Sequence, residues 1–268
     1  LQNGEQNRNI SAFFGQITNK FSNNIDVVLG LRHDSFDARE IFSPRIAFAF
    51  KKNENTTYRF SYGHGFRTPS FSERLIDWEN DQVGYTIKGN PSLRPEISKG
   101  LNASLEYSNM NNFQINSLFY FNSFSNLIRS FSTEPGVFTY ENIEIAYYRG
   151  FEIITKWVIS NSLSSSFTVN FVENEDGDGN QLPETIPLSF GGKLSYTPNN
   201  EKTILTTNLR GIGPYTPMEF NSNTGIYAEA SKPIRAYLMG DVLLNFNINK
   251  KYNLIFGITN ITNHTNSR

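Results

Sequence analysis

The sequence predicts an all-β fold, a transmembrane antiparallel β-barrel of which about twelve strands are present, and three observations carry that prediction. Apolar and polar residues alternate in runs of roughly 9–11 residues, long enough to cross a bilayer as tilted strands. The runs are joined alternately by tight polar turns and by long polar connections, the asymmetry of a barrel with short turns on one side of a membrane. Tyr58, Tyr62, Tyr107, Trp157, Tyr196 and Tyr252 fall near run ends on the apolar parity, where an amphipathic ring sits at headgroup level. A water-soluble β-sandwich also alternates, but its strands run to about 5–6 residues.

In chain order the predicted strands are Ile10 to Phe21, Ile25 to Arg32, Ser43 to Lys51, Thr56 to Gly63, Ile97 to Tyr107 and Phe113 to Phe121. They continue as Tyr148 to Trp157, Ser164 to Val172, Leu188 to Tyr196, Thr203 to Arg210, Arg235 to Asn247 and Tyr252 to Asn260. Parity assigns the faces. Pro44, Ile46, Phe48 and Phe50 oppose Ser43, Arg45, Ala47 and Lys51, and Phe113, Ile115, Phe119 and Phe121 oppose Gln114, Asn116, Tyr120 and Asn122. Phe151, Ile153, Thr155 and Trp157 share one parity, as do Leu238, Gly240, Val242, Leu244, Phe246 and Ile248. Short turns are predicted at 22–24, 53–55, 109–112, 160–162, 198–200 and 249–251, all rich in Asn, Ser or Pro. Long outer loops are predicted at 33–42, 64–96, 122–147, 173–187 and 211–234.

Composition is consistent with this reading. Over 268 residues the net charge is -1 and no cysteine occurs, which removes disulfides, thiolate metal sites and cysteine nucleophiles. Near-neutral charge gives no basic face for nucleic acid. A mean hydropathy of -0.43 suits a barrel, which shows lipid only every second residue. The opening Leu1-Gln2-Asn3-Gly4 carries no basic n-region or apolar h-region, so a fragment or processed piece is expected. Twelve strands that start downward leave both ends on the outer side, so at least one further strand is expected at each end of the single barrel domain, residues 1–268.

Within the 64–96 region, Gly65-Phe66-Arg67-Thr68-Pro69-Ser70 is followed by Gly89-Asn90-Pro91-Ser92-Leu93-Arg94-Pro95-Glu96. The pair resembles the GFRAP-like and GNPxLxPE boxes of TonB-dependent outer-membrane receptors. Gly30-Leu31-Arg32-His33-Asp34, Ser43-Pro44-Arg45, Gly150-Phe151-Glu152 and Asn260-Ile261-Thr262-Asn263 resemble further elements of that family, in the family's order. The resemblance implies strands ten to twenty-one of a 22-strand, plugged barrel in a Gram-negative outer membrane. It further implies high-affinity uptake of a ferric siderophore, cobalamin or similar scarce solute, powered by TonB through an N-terminal plug absent from these residues. A passive porin and a barrel hydrolase are the alternatives. Ser61 and His64 fall on opposite faces of one strand, which disfavours a catalytic dyad. Haem receptors of the family carry a histidine between the boxes, and 70–88 has none.

Phe66, Arg67, Pro69, Asn90, Pro91, Leu93, Pro95 and Glu96 read first as structural devices, with Arg67 and Glu96 expected to pair across neighbouring strand tops. Arg67, Arg74, Trp78 and Tyr85 are the candidate substrate-binding residues, with Tyr215 and Tyr227 in another outer loop. No cofactor is expected. Asp176, Asp178 and Asn180 offer alternating oxygen ligands for calcium, but no twelve-residue register with Gly at its sixth position ends in Glu, and a solvated acidic loop is the favoured reading. His33, His64 and His264 read as isolated surface histidines.

Overall fold

The computed structural model describes residues 7–265 except 38, 81, 83, 110, 184, 199–201, 222–225 and 250, with backbone alone at 220, 221, 226 and 227. The predicted turns at 198–200 and 249–251 therefore include positions outside the described residues.

All twelve predicted strands form. They are β1 (Ile10–Ser22), β2 (Ile25–Phe36), β3 (Arg39–Asn53), β4 (Thr56–Arg67), β7 (Glu96–Ser108), β8 (Phe113–Glu134), β9 (Val137–Ser160), β10 (Leu163–Asp176), β11 (Leu188–Tyr196), β12 (Thr203–Ile212), β15 (Tyr237–Asn247) and β16 (Asn253–Ile258). Each pairs antiparallel with the next in this order, so the sheet is a continuous meander with β1 and β16 at its edges. Four short strands stand off this path: β5 (Asp77–Asn80), β6 (Tyr85–Lys88), β13 (Met218–Asn221) and β14 (Ile226–Glu229). One short helix, α1 (Phe71–Leu75), precedes β5.

Register shows why the alternating residues matter. Cross-strand partners share a face. One row runs Val27, Phe48, Phe60, Ala103, Phe119, Phe151, Phe171, Leu188 across eight strands. These rows do not meet one another in a sealed interior: Phe119 is 54% exposed and Leu29 50%. That excludes the sandwich, whose inner faces must be buried. The opposite face carries Asp26, Ala49, Arg59, Ser104, Leu118, Glu152, Asn170 and Ser189 in one row. Arg59 pairs there with Glu106 at 3.1 Å. An exposed apolar face opposed by a charged one is what separates lipid from a wet lumen.

The short-turn end of the lipid face is ringed by aromatics. Phe50 and Tyr58 lie 6.3 Å apart, and Tyr107–Phe113 and Phe113–Trp157 lie 6.4 Å apart. At the other end a row that begins Ile17, Leu29, Ile46, Tyr62, Leu101, Phe121 turns polar at Arg149 and Glu173. Arg149 Nε contacts Glu173 Oε2 at 2.9 Å, so the apolar belt ends there.

The predicted long loops need correction. Residues 33–42 are mostly strand, closed by a tight turn in which Asp37 takes φ 47°. Residues 122–147 continue β8 and β9 into a hairpin of 22- and 24-residue strands that turns at Pro135-Gly136. Beyond the bilayer both faces of a strand meet water. The alternation that reveals a strand fades there while its ladder continues.

Candidate functional site

The two boxes meet at the outer end of β4 and β7. Arg67, the last residue of β4, faces Glu96, the first of β7, across the ladder. Its Nε and Nη2 donate to Glu96 Oε2 and Oε1 at 2.6 and 2.8 Å, a bidentate pair. Nη1 donates to both Glu73 oxygens at 3.0 Å. Glu96 Oε1 also accepts the buried Ile128 N–H of β8 at 2.7 Å. One arginine and two carboxylates thereby tie β4, α1, β7 and β8 together, and the expected Arg67–Glu96 pair is present. The carboxylates hold the Arg67 guanidinium above its ordinary value, with the Glu96 hydrogen bond the largest cause.

Between the boxes the chain forms a strap, 68–95, whose folding follows from local chemistry. Ser70 caps α1: its hydroxyl accepts Glu73 N–H at 3.1 Å while Glu73 Oε2 accepts Ser70 N–H at 2.7 Å, a capping box. The Ser70-Phe71-Ser72-Glu73 spacing is the signal in the sequence that the long-loop reading passed over. Burial pushes the Glu73 carboxyl up, but bonds from the Ser70 amide, Arg67 and the Ser70 hydroxyl hold it below the ordinary range.

β5 and β6 form a hairpin behind the helix, and β6 adds a parallel pairing to β9 at Thr86–Val137 and Ile87–Phe138. Gly89 N–H donates to Ile76 O and Asn90 N–H to Glu73 O, closing the strap on itself. A Cβ at Gly89 would sit 2.5 Å from backbone atoms of Arg74 and Leu75, so only glycine fits this crossing. Asn90 Nδ2 reaches Tyr140 O at 2.8 Å. Asn142 grips Arg94 from both sides, accepting its N–H and donating to its carbonyl. Pro69, Leu93 and Pro95 are buried. Phe66 stacks on Phe36 at 5.5 Å. The box residues thus hold the strap in place, and sequence reasoning missed Glu73 and Asn142 as partners in that task.

The other candidates divide. Trp78 packs edge-on against Tyr85 at 5.2 Å, and Tyr85 against Phe138 at 6.0 Å, so these aromatics dock the strap on the β9 tip while Trp78 stays 42% exposed. Arg74 lies on α1 with its Nε buried and unpartnered. Tyr215 bridges Ile234 at the base of another outer loop, and the Tyr227 side chain lies outside the described residues. Asp176 Oδ1 accepts the Asp178 and Asn180 amides at 3.0 and 2.8 Å, and Asn180 Nδ2 reaches Oδ2 at 3.2 Å. Its carboxylate therefore organises a turn, and these bonds, the Asn180 amide first, hold it below the ordinary aspartate range. His64 contacts Tyr62 Oη at 2.7 Å on the lipid-face parity while Asn102 Nδ2 donates to Ser61 on the other face, so the serine and histidine are apart as expected.

Comparison with known proteins gives a consistent picture. The model of the family described as TonB dependent receptor-like, beta-barrel matches residues 1–261. An iron-regulated outer membrane virulence protein of Vibrio cholerae serotype O1 is 28% identical over 187 residues, which are 63% of this chain and 29% of that protein. The ferric enterobactin receptor of Pseudomonas aeruginosa superposes with a TM-score of 0.76 at 17% identity, covering 95% of this chain and 40% of its own. The siderophore receptor PirA of Acinetobacter baumannii gives 0.76 at 14% identity, over 97% of this chain and 43% of its own, and the copper transporter OprC 0.77 at 15%, over 95% and 42%. The chain thus spans less than half the length of each.

Proposed function

Because this chain belongs to the TonB dependent receptor-like β-barrel family of the Gram-negative outer membrane, we propose that it forms the C-terminal part of the wall of a receptor that captures and imports a scarce metal chelate, a ferric siderophore foremost. The observation that carries the reading is the two-faced sheet: twelve strands with an apolar face toward lipid and a charged face toward a lumen, crowned by a strap that the two boxes lock in place. Iron regulation of the Vibrio relative and the enterobactin and siderophore receptors among the solved structures favour iron over cobalamin. In this reading the barrel does no covalent chemistry. Energy arrives from TonB through a plug contributed from outside residues 1–268.

Trp78, Tyr85 and Arg74 border the ligand vestibule, and Arg67 positions the strap that carries them. Asp176, Asp178 and Asn180 act as a turn held by their own hydrogen bonds.

The test is uptake of radiolabelled ferric siderophore by iron-starved cells with and without the gene, before and after a protonophore. Saturable uptake that vanishes with the gene and with the proton-motive force is the expected result. Uptake indifferent to the protonophore, together with conductance in planar bilayers, would replace the receptor by a pore.

A further inference from the structure

We propose that a cavity of about 400 Å³ between the strap and the tops of β2 and β3 is a binding site for a small dissolved oxyanion bearing a carboxylate or phosphate group. This goes beyond the transport reading and rests on the geometry of the pocket alone.

Three guanidinium groups, Arg8, Arg39 and Arg74, line the cavity against one carboxylate, Asp37. That carboxylate is claimed by Arg8. Arg8 Nε lies 3.1 Å from Asp37 Oδ2, its Nη1 donates to Pro69 O at 3.1 Å, and its guanidinium sits 5.2 Å over the Phe71 ring. With its side chain only 10% exposed, Arg8 is part of the frame.

Arg74 receives the remainder. Its Nη1 stands 3.8 Å from the same Asp37 oxygen, beyond hydrogen-bond reach, and Nη2 meets Pro91 O at a long 3.4 Å. Its Nε is buried with no acceptor. The Arg74 side chain as a whole is 32% exposed, and its one buried N–H is left without an acceptor at a cost.

Arg39 ends the turn at the head of β3, cross-strand from the buried Phe36, and is exposed with no acidic partner among the described residues. The acids beside Arg67 are unavailable, since it holds both Glu73 and Glu96. Asp34 is likewise taken by Arg32 at 2.7 Å. Three arginines thus share one carboxylate around this hollow, which leaves it with an excess of positive charge.

Phe36, Pro69, Leu93 and Pro95 wall the rest of it. The accessible surface of the hollow is mostly polar. The planar guanidinium fork matches carboxylate and phosphate bidentately. Phe36 stands at the outer tip of β2, where both faces of the strand meet water.

The experiment is calorimetric titration of the full-length receptor in neutral detergent with inorganic phosphate, and separately with citrate, at constant ionic strength. Saturable binding of at least one is expected. Arg39→Ala and Arg74→Gln should each weaken it by at least about tenfold, the worth of one charge-assisted contact. Arg149→Gln, on the lipid-face parity, should leave it unchanged. Arg39 has no acidic partner among the described residues, so its variant tests the site even if Arg74→Gln misfolds. No saturable binding of either anion, or binding that Arg39→Ala leaves intact, overturns the site. A receptor that imports ferric siderophore yet binds neither anion loses this pocket and keeps its transport role, and the converse result separates them the other way.

Discussion

Replacing Glu96 by alanine removes the carboxylate on which β4, β7 and β8 converge, and the structure allows its cost to be worked out. Glu96 is 9% exposed and supplies the acceptor for the Ile128 amide, itself buried. Alanine leaves that amide without a partner, at about 1–3 kcal/mol. It also removes the bidentate bond with Arg67. Because the Arg67 side chain is 45% exposed, that loss is discounted for solvent screening to about 0.5–1 kcal/mol. Glu96→Ala should therefore destabilise the outer end of the sheet by about 1.5–4 kcal/mol. Glu96→Gln keeps an oxygen for the Ile128 amide and should lose no more than about 1 kcal/mol. Denaturant unfolding of the full-length receptor in micelles, with hydrogen exchange at Ile128, reads both. The reasoning fails if the two variants lose equal stability, or if exchange at Ile128 is the same in Glu96→Ala as in the parent.

Three further outcomes are expected. Gly89→Ala places a Cβ against the backbone of α1 and should release the strap, costing about 1–3 kcal/mol and exposing 68–95 to limited proteolysis while the transmembrane ladder stays protected. Phe119→Arg, at the centre of the lipid face, should destabilise the barrel by about 2–4 kcal/mol in vesicles, whereas Phe119→Leu should cost far less; equal effects would mean that Phe119 does not face hydrocarbon. The Glu73 carboxyl is depressed, so its contribution to the capping of α1 is complete above the ordinary glutamate value and disappears as pH falls through the lower folded value. Protection factors of the α1 amides, which are corrected for the intrinsic pH dependence of exchange, should be flat from about pH 6 to 8 and fall once the pH drops below the ordinary glutamate value.

What the sequence made legible is the part under a two-sided constraint. Between Phe113 and Phe121 alternate residues suit lipid and a wet lumen, Ser117 and Leu118 excepted, and Phe113, Ile115, Phe119 and Phe121 fall opposite Gln114, Asn116 and Tyr120 as predicted. Past Phe121 on β8 that constraint lapses. Phe124, Ile128 and Phe131 are then chosen by neighbours distant in sequence, so the ladder they belong to reads as loop. The Arg67–Glu96 pair was visible because both residues sit at strand tops inside a recognisable spacing. The cluster of Arg8, Asp37, Arg39 and Arg74 was not, since it gathers four positions from three segments that share no local pattern. Asn142 escaped for the same reason, being set opposite Arg94 only by the length of the β8–β9 hairpin.

That hairpin has a mechanical consequence. A bilayer uses only about 9–11 residues of a tilted strand, so roughly half of β8 and β9 rises outside it as a post. A post zipped along its whole height yields only by opening rung after rung from the tip. The strap leans on it by two rungs, Thr86–Val137 and Ile87–Phe138, and by the Asn90 bond to Tyr140. The hairpin is therefore the rigid upright of the mouth, and the strap is fastened to it.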